Sequence, residues 1–153
     1  MSLAAKGIKF QKVHCNLGDK AQWHKDFNGG LVPILESPDG TMVNESAIIS
    51  QFAVEYAKAE DGLKLWPSEG KTQDIAACML TGKHKLLMLE FDKFMGAFWG
   101  AYVSRFTDDE KINTMIESNV KLEAWFKKNI GNGKFLNGTD EPSQLDIHCF
   151  VVV

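Results

Sequence analysis

Val32-Pro33 and Glu45-Ser46 are the residues of this chain best suited to hold a small peptide with free charged ends. Pro33 stands near the front of an apolar run, Leu31-Val32-Pro33-Ile34-Leu35-Glu36, that reads as a strand. Proline has no N–H to give a sheet ladder, so it belongs at the start of a strand or on an edge. A cis Val32-Pro33 bond would turn the Val32 N–H and C=O outward, where an extended peptide could pair with them. A trans proline entering an edge strand is the ordinary alternative, because cis makes up only about 5–6% of X–Pro bonds. Glu45-Ser46 opens a helix, where unpaired backbone N–H groups and the helix dipole favour an anion. Ser46 can donate to a carboxylate and Glu45 can accept from an ammonium, a combination that suits an α-amino-acid end group. Plain helix capping by Asn44, Glu45 and Ser46 is the competing reading. Lys20, in a short helix further upstream, could meet a second carboxylate or be simply solvated. Trp23 could line the pocket, or pack beneath that helix.

Other chemistries find less support. The three cysteines, Cys15, Cys78 and Cys149, are widely separated and form no C-x-x-C pair. That argues against a zinc knuckle or a dithiol redox motif, and reads as free thiols in a reducing cytoplasm. His14, His24, His84 and His148 show no ligand spacing, so no metal site is expected. The 153 residues carry a net charge of −3 with both signs dispersed. A nucleic-acid surface needs a clustered basic excess. No apolar run reaches the roughly 18 residues of a membrane span, and the start of the chain lacks the apolar core of a signal peptide. With 44% hydrophobic and 24% charged residues the composition is that of a globular protein.

The elements that must position these residues follow from periodicity and turn chemistry. Residues 1–6 read as the end of a helix stopped by Gly7. Ile8–Cys15 alternates enough to predict a strand, and residues 19–27 predict a short helix with Trp23 and Phe27 on one side, broken at Asn28-Gly29-Gly30. Leu31–Glu36 and Thr41–Asn44 form a hairpin around Ser37-Pro38-Asp39-Gly40. A helix over 45–58 follows, with Ile48, Ile49, Phe52, Ala53 and Tyr56 on one face. The three strands would form a small mixed sheet. Residues 61–70 read as a linker between an α/β domain over 1–60 and an all-helical domain over 71–153. In the latter, Leu87, Phe91, Phe94, Phe98 and Tyr102 stripe one long helix, as core or as a subunit interface. Trp99 and Tyr102 could instead floor a pocket. Thr107-Asp108-Asp109-Glu110 and Ser143-Gln144-Leu145-Asp146 each read as a capping box. Gly131-Asn132-Gly133 ends the helix between them.

These features together resemble the glutathione transferases, with the omega class nearest. The resemblance is carried by Ala5-Lys6-Gly7-Ile8, Asn16-Leu17, Lys20, Trp23, Gly30 to Glu36, Gly40, Glu45-Ser46-Ala47-Ile48, Leu65-Trp66-Pro67, and Ser143 with Asp146. It implies a thioredoxin-like α/β N-terminal lobe, incomplete because its first strand would precede Met1, and an all-α C-terminal lobe, also incomplete. It implies glutathione as co-substrate, with Val32 holding the cysteinyl main chain beside a cis Pro33. Glu45 and Ser46 would hold the γ-glutamyl end, and Lys20 would lie near the glycyl carboxylate. Ser143 and Asp146 would be structural. The full-length activity implied is that of a thiol transferase or dehydroascorbate reductase acting on a small electrophile or disulfide, in a cytoplasmic homodimer paired through the long helix. The family's catalytic residue, a cysteine in the omega class, would lie upstream of Met1, so no catalytic residue is expected in this chain and its own activity should be low. A non-catalytic transferase-like binding or assembly module, and an unrelated α/β protein with a trans Pro33, are the alternatives. An unpaired strand edge and apolar surface at Phe150 predict poor solubility or association.

Overall fold

The computed structural model describes residues 1–58, 61–71, 73–130 and 132–150. They fall into two compact units, Met1–Gly62 and Leu63–Val153. Gly131, named above as part of a helix end, lies outside the described residues.

The first unit opens with a single helical turn, α1 (Ser2–Ala5), and Gly7 leaves it at a left-handed φ of 68°. The hydroxyl of Ser2 meets that of Ser50 at 3.0 Å, a partly buried tie between α1 and the helix over Ser46–Tyr56. The strand expected over Ile8–Cys15 does not form, and residues 8–20 run without helix or ladder. Extended backbone becomes a strand only by pairing, and the sheet among the described residues is the two-stranded β1–β2. The expected three-stranded mixed sheet is therefore an antiparallel pair, and Phe10 and Val13, within the expected first strand, are exposed. The short helix starts later than expected, as α2 (Gln22–Asn28), and ends in a left-handed Gly29. Trp23 is exposed rather than packed beneath it.

The hairpin pairs β1 (Ile34–Glu36) with β2 (Met42–Asn44), and its register sets Ile34 opposite Asn44 and Glu36 opposite Met42. Asp39 organises the turn. Its carboxylate accepts the Thr41 N–H at 3.0 Å and the Ser37 hydroxyl. These bonds, the Ser37 one first, hold its pKa below the usual carboxylate value. Helix α3 (Ser46–Tyr56) follows directly. Of the face expected to be apolar and inward, only Ala53 is fully buried and Ile49 half-buried, while Ile48, Phe52 and Tyr56 are exposed. Two strands of three residues each offer α3 too narrow a surface to cover that whole stripe.

The second unit is helical: α4 (Ile75–Val103), α5 (Asp109–Ile130), a 3-10 turn over Leu136–Gly138, and α6 (Gln144–Phe150). The aromatic stripe of α4 divides. Leu87 and Phe91 are buried, and Phe91 lies within 6.1 Å of the rings of Trp125 and Phe126 on α5. Further along, Trp99 and Tyr102 are exposed. The capping box expected at Thr107 is displaced by one residue. Arg105 and Phe106 both take positive φ, and the Thr107 hydroxyl is drawn back to the Ser104 carbonyl at 2.6 Å. Asp108 caps in its place, accepting the Lys111 N–H at 3.2 Å.

At α6, the Asp146 carboxylate accepts the Ser143 N–H (2.8 Å), the Ser143 hydroxyl (2.7 Å) and, from the segment after α5, the Leu136 N–H (2.8 Å). The carboxylate is buried. Gly133 passes so close to Gly138 that an added Cβ would stand 2.2 Å from the Gly138 carbonyl carbon, so the loop beneath α6 admits no side chain there. His84 of α4 is fully buried, and neither ring nitrogen has a partner among the described residues. Burial lowers its pKa from the usual 6.5, with Lys83 acting in the same direction and Asp146 against it.

Removing the carboxylate in Asp146→Ala strands two buried backbone donors. A loss of about 3 kcal/mol is expected in urea unfolding, and an unchanged midpoint would show that the box carries no such load. His84 gives a pH signature of defined sign. Its folded-state pKa lies below 6.5, so the unfolded chain takes up the proton first. Its share of stability is full above about pH 6.5 and drains away as pH falls toward the folded value. Unfolding midpoints across pH 7 to 5 should decline less in His84→Leu than in wild type.

Candidate functional site

The antiparallel register builds the site. Ile34 faces Asn44 across the ladder, so Val32-Pro33, just before Ile34, comes up beside Glu45-Ser46, just after Asn44. The Val32–Pro33 bond is cis. Among the described residues no hydrogen bond occupies the Val32 main chain, and the Val32 side chain is half exposed.

The approach to Val32 is fixed from upstream. Asn28 clamps Leu31 from both sides: its Oδ1 accepts the Leu31 N–H and its Nδ2 donates to the Leu31 carbonyl, each at 2.9 Å. The same carbonyl accepts from His24 Nε2 at 2.8 Å. Gly29 and Gly30, with φ of 72° and 79°, make the reversal between Asn28 and Leu31, and two successive left-handed residues are cheap only for glycine. Lys20 folds over this turn. A Cβ on Gly30 would stand 2.8 Å from Lys20 Cδ and 3.7 Å from its Nζ. The lysine named from the sequence thus lies against Gly30, two residues before Val32.

Glu45 sits at φ 72°, an uncommon value for a residue with a side chain, and its side chain makes no cap bond. Its carbonyl accepts from Ile49 at 3.0 Å, so α3 begins at once after it. The N–H groups of the first helical turn, starting with Ser46, point out of the helix without intrahelical partners. Glu45 and Ser46 are both exposed. The arrangement places a carboxylate, a hydroxyl and a helix N-terminus near an open main-chain segment and a lysine, all within the first unit. Such a set can bind a peptide with an ammonium and a carboxylate at one end and a further carboxylate at the other.

Ser143 and Asp146 belong to the second unit, where they are hydrogen-bonded to each other. A cleft of about 550 Å³ in that unit is lined by Lys83, Glu90, Lys128 and Asn129 among others. Its one acid, Glu90, already accepts the Trp125 indole N–H at 2.9 Å. No group of three or more His, Cys, Asp or Glu is placed to hold a metal among the described residues, and no described helix is long and apolar enough to cross a membrane. The sequence reading missed Asn28 and His24. Asn28 before Gly-Gly was legible as a turn, but nothing local shows that its side chain clamps Leu31. His24 stands beside Trp23, on which its ring stacks at 5.3 Å, and carries no motif.

Comparison with known proteins bears on the fold and the family. The family description "Glutathione S-transferase, N-terminal domain" matches residues 1–55. Glutathione S-transferase omega-1 of Mus musculus is 29% identical over 150 residues, covering 95% of this chain and 56% of the mouse protein. Its Sus scrofa counterpart is 41% identical over 68 residues, or 44% of this chain and 27% of the pig protein. The chain thus spans about half the length of the mouse relative. Among solved structures, a Leishmania protein described as "TDR1 - a unique trimeric glutathione transferase" superposes with a TM-score of 0.72 over 99% of this chain and 32% of its own, at 21% identity. That likeness shows the fold, a thioredoxin-like first unit followed by a helical one. Residues 1–55 thus match a glutathione transferase N-terminal domain, and the chain is similar to omega-1 glutathione S-transferases over the lengths given.

Proposed function

We propose that this chain binds glutathione in its first unit and contributes that site to a glutathione-dependent transferase of the thiol-transfer type, one that reduces small disulfides or dehydroascorbate. The observation that carries the reading is the register that brings Val32-Pro33 beside Glu45-Ser46. In this reading the Val32 N–H and C=O pair with the cysteinyl main chain of glutathione. The Ser46 hydroxyl and N–H take the γ-glutamyl carboxylate at the positive end of α3, and Glu45 accepts from its ammonium. Lys20, packed over Gly30, meets the glycyl carboxylate.

These residues bind and orient. They hold the glutathione sulfur where a nucleophile or an electrophile can reach it, and the reacting partner is not among them. Binding and orientation, rather than bond exchange, are therefore the tasks of these residues. The thiols of Cys15, Cys78 and Cys149, none of them in a disulfide, fit a reducing cytoplasm. Pairing of two copies through α4 belongs to the same reading, and the exposed Trp99, Tyr102 and Val103 supply an apolar face for it.

Titration with S-methylglutathione, which cannot exchange disulfides, tests the site by calorimetry. Wild type should bind. Glu45→Gln and Ser46→Ala should each weaken binding about 10- to 100-fold, the loss expected for a hydrogen bond to a charged group. Lys20→Ala should weaken binding less, because its partner is solvated. Absence of binding by the wild-type chain, or equal affinity in all variants, would reject the assignment.

A further inference from the structure

We propose that Cys15 and His24 form a thiol–imidazole pair that makes Cys15 a site of thiol–disulfide exchange with small disulfides. Cys15 Sγ lies 3.5 Å from His24 Nδ1, within hydrogen-bond range for sulfur. The imidazole is held from its other side, with Nε2 2.8 Å from the Leu31 carbonyl oxygen. A carbonyl can only accept, so Nε2 carries the proton and Nδ1 of the neutral ring presents its lone pair to the thiol. His24 is buried and its ring stacks on Trp23, while Cys15 is open to solvent. A nucleophile open to reagents, a base within reach and a group that fixes the base are the parts of an activated nucleophile.

The step balances without a further reagent. Cys15 Sγ attacks one sulfur of the small disulfide as its proton passes to His24 Nδ1. The new bond joins Cys15 to that sulfur, the old S–S bond breaks, and its electron pair leaves with the other half as a thiolate. That thiolate takes the proton from His24 and departs as a thiol. Cys15 is oxidised to a mixed disulfide and half of the small molecule is reduced. The same path in reverse, with excess thiol, restores Cys15.

The other two cysteines give internal references. Cys149 is fully buried, and its thiol is pushed up to about 12, by burial first and then by Asp146 and Asp92, so it is closed to exchange. Cys78 lies near the start of α4 and, like Cys15, is exposed. Exposure alone would make Cys15 and Cys78 react alike.

The experiment treats the full chain with excess hydroxyethyl disulfide at pH 7, quenches with acid at intervals, and maps the adducts by peptide mass. That probe has no γ-glutamyl group, so its result stands apart from glutathione binding. Cys15 should be modified at least about tenfold faster than Cys78, a modest share of what a positioned base supplies. His24→Phe keeps a ring to stack on Trp23 but removes both nitrogens, and should slow Cys15 about tenfold while leaving Cys78 unchanged. Equal rates at Cys15 and Cys78 in the wild-type chain would overturn the proposal whatever the variant does. So would an unchanged Cys15 rate in a His24→Phe chain whose thermal melt matches wild type.

Discussion

One carbonyl oxygen, that of Leu31, sets the geometry of the first unit. It accepts from Asn28 Nδ2 and His24 Nε2, and so ends up with both of its lone pairs engaged by α2. The Leu31 N–H is engaged by Asn28 as well. A segment whose side chains are largely exposed has little packing to fix it, and Leu31 and Val32 are both exposed. Hydrogen bonds do that work here, at about 1 kcal/mol each in net terms. Once Leu31 is fixed, the ladder from Ile34 to Asn44 carries the constraint to the start of α3. The two halves of the proposed binding surface, separated in sequence by the hairpin, are thus aligned by one clamp and one register.

The second unit relies on a buried charge in a comparable way. Asp146 is an acid that burial would disfavour unless its oxygens were fully engaged. Ser143 supplies two donors and Leu136 a third. The bond to Leu136 matters most, since it ties the entry of α6 to the turn after α5, where Gly133 and Gly138 pass backbone against backbone. The end of the same helix is tied differently: His148 Nε2 meets Asp92 Oδ1 on α4 at 2.7 Å. His84 runs the other way. It is polar, fully buried and without a hydrogen-bond partner among the described residues, and it stays neutral at the expense of a proton it would otherwise hold near pH 6.5. Within one unit, one titratable group is stabilised by its neighbours and another is merely enclosed by them.

Much of this was legible in the sequence, and the unread part has physical causes. Turn chemistry located the hairpin, because Ser-Pro-Asp-Gly has few other uses. Helical periodicity located α4 and α5, because each is long enough to repeat its pattern several times. The pairing of Val32-Pro33 with Glu45-Ser46 followed from the hairpin between them. Ile8–Cys15 failed because alternation reports a strand's faces and says nothing of whether a neighbour exists to pair with it. The inward face of α3 was overestimated because a periodic stripe shows which residues could be buried, while the extent of the sheet decides which are. Thr107 was misread because Arg105 and Phe106 adopt positive φ, which no feature of their side chains announces.

The Cys15–His24 pair was beyond reach for a different reason. The two residues meet across an irregular segment, and no spacing rule governs such a meeting. Their placement nonetheless has a logic within the site. His24 serves Leu31 through Nε2 and faces Cys15 through Nδ1. Protonation at Nδ1 leaves the Nε2–H in place, so the bond to the Leu31 carbonyl survives in both charge states of the ring. A proton can therefore move between sulfur and imidazole without releasing the segment that leads into Val32-Pro33. The observed orientation lets an irregular, exposed segment bring a thiol against His24 while the segment leading into Val32-Pro33 stays anchored by Asn28 and the ladder.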